Sequence, residues 1–593
     1  GNRSINGSNT ALVVLDGVPV PSSTLASINP NDIESVNVLK GASAAALYGS
    51  EASNGALIVT TKKGTSGGKP VIKYANSFQA QQVSYFPEFQ SSFGQYGGEP
   101  APDLDPLTGF SKYVPYENQL YGPAYDGSTV NLGPPLEDGS QLTGIYSSLG
   151  NQQKRFFNTG RIMQNDFSFS QGDKDNAFFF SYQNVDNKGV VPNDASSRNA
   201  VRLGASKRFG IFNADFSLGY TNTNIKTYIG GYDGSNLYTN VMQWPANVDI
   251  RAFKDPNGKF SNPNDFYDAY AINPYWITEN SRRNLKRDVI LGNLSLNLKP
   301  TEWFDATYRI AQNFGIYQRR DTNQEVTFSQ YAIADPMGAG NRPSNYPSGK
   351  IPGAVLDQTQ FGDGGTGYSR LQQDLLTNFH HTFFNDFKAN LLVGATVWQQ
   401  RYKQLNASSS SLLIPDYYNV NAIGGVVAAG ETEGMIRQQG VYGSLSVGYK
   451  DFAFIEVTGR NDWDSRLAKA NRSFFYPSVK GSFIFTDAID ALKNNKVINY
   501  GKLRAAYSKV GQVNIGPYSI NNTFGVTGGF PYGSLGALSI GSTNNNPNLK
   551  PEIVTEFEVG TELGFFDSRI NLGATYFDQH SRDQTLSVQT TPS

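Results

Sequence analysis

The spacing between strands constrains this chain more than any single motif. From residue 71 onward apolar residues recur at every second position, the period of a strand whose two faces meet different surroundings. Phe212, Ala214, Phe216, Leu218 and Tyr220 share one face, while Asn213, Asp215, Ser217, Gly219 and Thr221 share the other. The pattern predicts fifteen strands, near 71–84, 164–171, 176–186, 198–208, 211–222, 288–298, 303–316, 370–384, 387–402, 434–449, 451–463, 474–486, 499–511, 553–566 and 569–582. Their connections alternate in length. Those at 172–175, 209–210, 299–302, 385–386, 450 and 567–568 are tight, and between them fall long ones at 85–163, 223–287, 317–369, 403–433 and 512–552. Segments 187–197 and 464–473 are shorter but fall on the long side, and 487–498, predicted to hold a small helix, is the one deviation on the tight side.

Period-two strands alone fit either a soluble sandwich, with the apolar face as core, or a membrane barrel, with the apolar face in lipid. A sandwich has no reason to gather every long loop at one end. A barrel built hairpin by hairpin, with short turns at one rim and long loops at the other, produces that alternation directly. Composition agrees. Aromatics make up 13% and glycine numbers 61, as expected of interfacial girdles and close strand packing. No run of about twenty apolar residues is present to form a spanning helix. The negative mean hydropathy does not exclude a membrane location, because only alternate strand residues would face lipid.

Closed single-chain bacterial barrels have even strand numbers, and plugged ones have about 22 strands, so fifteen leaves the barrel about seven short. An open edge in lipid would cost several kcal/mol per unpaired backbone group. The chain is therefore expected to be part of a longer product. Its opening, GNRSINGSN, has neither an initiator methionine nor the basic start and apolar core of a signal peptide.

Little here points to catalysis. Without cysteine there are no disulfides, thiolate metal sites or cysteine nucleophiles, and a formal charge of −1 offers nothing to nucleic acid. Only His380, His381 and His580 could serve a hydrolytic triad; the first two point to opposite faces of one strand and the third lies near a strand end. Glu556, Glu558 and Glu562 share one face and read as lumen wetting or domain contacts rather than a hydrolase dyad. The chain is expected not to be an enzyme, and no metal ligands are assigned. Acidic turns at 103–109 and 255–259, and Asp462 with Asp464, are candidates for calcium in an outer loop, though none has full calcium-loop spacing; an ordinary Asx turn is the simpler reading.

Ahead of the strands lies a different kind of sequence. Leu12–Leu15 is an apolar run ending in Asp16-Gly17, a turn signal. Asn29-Pro30 suits a helix start, Glu34–Lys40 alternates as a strand, Gly41–Tyr48 is alanine-rich and helical with Gly49 as its stop, and Gly55–Lys62 is a β-branched strand. As pattern alone this is an ordinary α/β fragment.

The run VVLDGVPV…INPNDIESVNVLKGASAAALYGSEASNGALIVTTKKG resembles the plug domain of SusC/RagA-type TonB-dependent transporters of the outer membrane. Segments 121–127, 156–193, 459–479 and 546–577 are similar to landmarks of that family's barrel. The resemblance implies a membrane β-barrel of about 22 antiparallel strands, about 15 of them present, with a small α/β plug in its lumen. Residues 1–66 would be the C-terminal part of the plug and 67–593 the barrel. The plug motif is carried by Asp16, Gly17, Pro19, Pro30, Ile33, Glu34, Leu39, Lys40, Gly41, Ala44, Tyr48, Gly49, Asn54 and Gly55. Asp16, Glu34, Lys40 and Lys62 are candidates for polar contacts with the barrel wall. The resemblance further implies active import of a nutrient, an oligosaccharide before an oligopeptide. The implied partners are a SusD-like surface lipoprotein, the TonB complex acting through a segment absent from this chain, and outer-membrane lipid. Tyr121, Tyr125, Trp244, Trp276, Tyr417 and Tyr418, all in long loops, are the candidate ligand vestibule. Competing readings are a barrel component of a larger outer-membrane assembly and a secreted carbohydrate-binding or hydrolytic β protein.

Overall fold

A computed structural model describes the chain except residues 1–3, 6, 8, 40–43, 65–67, 97–111, 231–236, 269–270, 335–348, 363–368, 423, 425, 494, 530–532, 542 and 589–593. The N-terminal unit is a mixed sheet of β1 (Leu12–Leu15), β2 (Val18–Val20), β3 (Ile33–Leu39) and β4 (Ala56–Thr61) in the order β2-β1-β4-β3. Asp16 and Gly17 turn β1 into β2 with φ of 49° and 85°, the paired positive values of a tight hairpin whose twist matches its strands. Asn29 caps a single helical turn, Pro30–Asp32, by accepting from the Asn31 amide at 3.0 Å. The predicted alanine helix is confined, among the described residues, to α1 (Ala45–Tyr48), and Gly49 stops it at φ 78°. Val13, Leu15, Val20 and Val59 fill one side of the sheet; Val14, Ala44, Ala52 and Ala56 fill the other. Alanines on that second side let α1 lie close against β1 and β4.

Around this unit runs one antiparallel meander: β5 (Val71–Gln81), β6 (Gly160–Gly172), β7 (Asn176–Lys188), β8 (Ala195–Phe209), β9 (Phe212–Tyr228), β10 (Ser281–Thr301), β11 (Phe304–Asn323), β12 (Ala354–Phe361), β13 (Ser369–Phe383), β14 (Phe387–Ser409), β15 (Ala428–Tyr449), β16 (Ala453–Asp464), β17 (Ser473–Ile484), β18 (Ile498–Gln512), β19 (Glu552–Phe565) and β20 (Ile570–Arg582). All fifteen predicted strands are present. β12 is the addition, hidden in a connection read as loop. It pairs with the upper part of β11 (Ile316↔Phe361) and β14 (Phe361↔Lys403), while β13 continues below along the same two neighbours (Asn313↔Arg370, Ser369↔Arg401). The two therefore occupy one strand position, the first ending at Phe361 and the second beginning at Ser369.

The tight ends carry left-handed residues where a two-strand turn requires them: Gly210, Phe384-Asn385, Lys450-Asp451 and Phe566-Asp567-Ser568. The predicted helix there is a short turn, Phe485–Ala488, followed by Asp490–Leu492.

Burial decides between sandwich and membrane barrel. Apolar strand residues are the exposed ones (Phe216, Tyr220, Leu294, Leu375, Val441, Leu445, Val457, Phe557), whereas Arg202, Gln438, Arg460 and Asp462 are buried on the face turned to the small domain. A soluble sandwich has the reverse arrangement. No described helix is long and apolar enough to cross a membrane. The long loops are not all loose: Leu132, Phe156, Trp244, Ile250, Phe253, Phe266, Tyr267, Trp276, Phe328 and Ile351 come from three of them and pack into a core of their own.

Candidate functional site

The site is the joint between the small domain and the barrel wall. On the wall formed by β6 to β11 it is bolted by polar contacts. Asp16 accepts from the Thr61 amide at 2.8 Å, from its hydroxyl at 2.7 Å and from Arg202 of β8 at 2.8 Å, both ion-pair partners being 7% exposed. The tight turn also presents its carbonyls: Asn293 donates to that of Asp16 at 3.1 Å and Arg309 to that of Gly17 at 2.8 Å. A Cβ on Gly17 would lie 2.5 Å from the Arg309 guanidinium, so glycine is needed for space as well as for φ. Asn29 donates to Asp166 at 3.0 Å, Ser181 donates to Asp32 at 2.8 Å, and Lys63 pairs with Asp215 at 3.3 Å.

On the wall formed by β13 to β18 the contacts are sparser and mostly neutral. Glu51 pairs with Arg370 at 2.9 Å, and that guanidinium also lies over the Trp398 ring at 4.3 Å. Gln438 donates to Ser50 at 3.3 Å and Ser53 to Gln512 at 3.0 Å. Beneath Gly49 lies Arg460, held by Asp462 at 2.8 Å and stacked on Tyr442 at 4.8 Å. Asp462 also accepts from the Tyr476 hydroxyl.

Two cavities flank the joint on this second wall. At the long-loop side a space of about 260 Å³ is lined by Ser50 and Glu51 below and by Trp398, Gln400, Arg466 and Gln512 around it. At the short-turn side a space of about 910 Å³ separates Val38 and Leu39 from the wall, where Lys480 faces Glu456 at 2.8 Å and Arg504 pairs with Glu558.

The comparisons with known proteins follow this architecture. A family profile described as "TonB dependent receptor-like, beta-barrel" matches residues 224–593, and one described as "TonB-dependent Receptor Plug Domain" matches residues 1–56. The chain belongs to the TonB-dependent receptor family. "TonB-dependent receptor P3" of Formosa agariphila is 25% identical over 600 residues, covering 98% of this chain and 52% of the relative. "TonB-dependent receptor SusC" of Bacteroides thetaiotaomicron is 25% identical over 638 residues, covering 99% and 55%. The solved structure titled "Structure of the RagAB peptide transporter" superposes with a TM-score of 0.76 at 17% identity, covering 100% of this chain and 64% of that one. The receptor chain spans about half the length of the curated relatives it matches. The SusC/RagA-type resemblance read from its plug sequence is upheld, and the family's barrel is an outer-membrane one.

Of the motif residues in the receptor, Asp16, Gly17 and Gly49 meet the wall; Pro19 pairs with Val14 inside the sheet; Pro30, Ile33, Ala44, Tyr48, Asn54 and Gly55 shape the plug itself. Leu39 borders the larger cavity. Glu34 is exposed on β3, and Lys62 turns back to the Asn31 carbonyl at 2.5 Å, so neither repeats the part Asp16 plays. Lys40 and Gly41 lie outside the described residues.

The six vestibule aromatics do not form one surface. Trp244 and Trp276, 2% and 6% exposed, are interior to the loop core, where the Trp244 indole donates to the Val248 carbonyl at 2.8 Å. Tyr125 stacks edge-on against Tyr146 at 4.8 Å, and burial pushes its phenol up to about 12. Only Tyr121 and Tyr417 are well exposed; Tyr418 is half-buried beside Asp416. For the tryptophans, apolar size marked a core that alternation could not reveal, because loops carry no period.

The calcium candidates at 103–109 fall outside the described residues. At 255–259 the Asp255 carboxylate accepts from the Asn257 amide at 3.1 Å, an Asx turn, and Asp464 is held by Arg466 at 2.6 Å. Sequence reasoning missed Arg202, Arg309, Arg370 and Arg460. All four are arginines at lumen-parity positions, and two carried a further signal at the same parity, Arg370 with Gln372 and Asp374, and Arg460 with Asp462.

Proposed function

We propose that the complete protein imports a neutral oligosaccharide across the outer membrane by a TonB-dependent mechanism. Residues 1–66 form part of the plug and 67–593 form barrel, and a SusD-like surface lipoprotein serves as lid. The observation that carries the substrate class is the charge state of the outer cavity. Its acid and its base are both spent within the protein, Glu51 on Arg370 and Arg466 on Asp464. A charged ligand would have to displace one of these pairs, whereas hydroxyl-rich neutral ligands need only the amides of Gln400 and Gln512, the Ser50 hydroxyl and the indole of Trp398.

The resemblance supplies the rest. The plug closes the lumen, its contacts are rearranged by work done elsewhere, and the barrel contributes the wall. The test is uptake and binding by the full-length protein with its co-purifying lipoprotein, using neutral oligosaccharides, acidic oligosaccharides and oligopeptides in parallel. Neutral oligosaccharides are expected to bind and to enter only when TonB is present. Gln400→Ala is expected to weaken their binding by up to about tenfold, the value of one neutral hydrogen bond. Capture of oligopeptides alone would replace this reading, as would uptake that survives loss of TonB.

A further inference from the structure

The two cavities lie on the same wall, and among the described residues a thin layer separates them. On β18 the side chains that face the plug alternate. Ser508 borders the inner cavity, Gln512 borders the outer one, and Val510 stands between. On the plug, Leu39 borders the inner cavity and Ser50 the outer one, and α1 lies between. The intervening layer is a small apolar cluster: Ala45 of α1, fully buried, packs with Phe474 and Tyr476 of β17, Val510 of β18 and Val554 of β19. Val510 and Val554 are partners across the sheet. The side chains of this cluster are uncharged, although the Tyr476 hydroxyl donates to Asp462, which is paired with Arg460 beneath Gly49; alanine presents only a methyl group to it.

The fastening of the plug is unequal in the same sense. Against β6 to β11 it is held by Asp16–Arg202 and Lys63–Asp215 and by the Asn29–Asp166 and Asp32–Ser181 hydrogen bonds. Against β13 to β18 the polar bonds are fewer: the two neutral serine–glutamine pairs, a Ser50 backbone bond to Asp462, and one ion pair, Glu51–Arg370, at the β13 edge of that wall. A hydrogen bond with one charged partner is about twice as strong as a neutral one. An applied force therefore separates the plug from the β14–β19 wall before it separates it from the β6–β11 wall.

We propose that the route through this receptor runs along the β14–β19 wall, and that the Ala45–Tyr476–Val510–Val554 layer is its gate. The inference rests on the transport reading above. Lifting α1 off this layer joins the outer space to the inner one while Asp16 and Asn29 stay in place. The joined passage is lined below by polar and charged side chains, with Lys480 paired to Glu456 and Arg504 to Glu558, so a neutral solute meets a wet wall.

These 593 residues contain no cysteine, and any thiol elsewhere in the full-length protein is first changed to serine, so that the placed thiols react without background. Two double variants of the full-length protein are compared, each with and without a short bis-thiol cross-linker. Ser53→Cys with Gln512→Cys locks the plug to the proposed route wall. Asn29→Cys with Asp166→Cys locks it to the opposite wall. Replacement of hydrogen-bonded pairs 3.0 Å apart gives both locks matched reach. Each lock is read against its own uncross-linked form, the first of which already lacks the Gln512 amide of the outer cavity; the expected result is that cross-linking abolishes the remaining uptake in the first variant and leaves uptake unchanged in the second. Block by both locks would mean that the plug leaves as a whole and would overturn the proposal, as would block by neither. Absence of uptake in the unmodified protein, by contrast, would defeat the transport reading itself and is scored separately.

Discussion

Asp16 and Asp32 show how two carboxylates a few ångströms from the same wall take different parts. Asp16 is paired with Arg202, and removing one partner leaves the other charge buried alone. Asp16→Asn is expected to weaken plug docking by about 3–5 kcal/mol, read as faster amide exchange in β1. Among the described residues Asp32 has no salt-bridge partner in contact. Burial, more than the opposing Ser181 hydrogen bond and Arg202 charge, holds its carboxyl above the ordinary value of 3.8. Docking therefore favours the protonated form. That contribution is complete below 3.8 and is lost as pH rises through the raised value. Asp32→Asn keeps an acceptor for Ser181, so it is expected to change docking little and to remove this pH dependence. Exchange measured over a pH series, corrected for intrinsic rates, distinguishes the two aspartates. Gly49 combines φ 78° and ψ −169°, a region essentially reserved for glycine, with Arg460 3.0 Å from where a Cβ would be. Gly49→Ala is expected to cost about 1–3 kcal/mol of plug docking in the same assay.

Among the elements, the strand position shared by β12 and β13 was the part of the barrel that escaped sequence reading. β13 carries Leu371, Leu375 and Phe379 at one parity and was plain; β12 (AVLDQTQF) is short, mixed in polarity and embedded in a long connection. Its identity comes from tertiary pairing with β11 and β14, which a local pattern does not contain. Because the ladder with β12 is short, running only from Ile316↔Phe361 to Asn323↔Ala354, amides of Ile316–Asn323 are expected to exchange faster than those of Phe304–Asn313 on the same strand. The loop core is the second such element. Trp244→Ala there is expected to cost about 3–5 kcal/mol locally, exposing residues 243–280 to protease while the barrel stays folded. The fifteen long strands and the tight turns were legible because period two and left-handed turn chemistry are local properties. The wall arginines and the loop core were not, because each is defined by what another segment brings to it.

At the scale of the whole molecule, the pattern of apolar residues outside and buried charge inside means that the protein is held together by ladders and by its lumen, with the outer face left to lipid. The full-length protein is expected to need detergent for recovery and to migrate faster on a denaturing gel before heating than after; recovery from the aqueous phase alone would contradict the burial pattern. The ladders define one unit and the loop core another, joined through the rims of only a few strands. A lineage can therefore recombine or diversify the loop unit as a cassette, retaining the tryptophans that keep it folded while its exposed side chains drift. The cap would then change without any change in the wall that carries it.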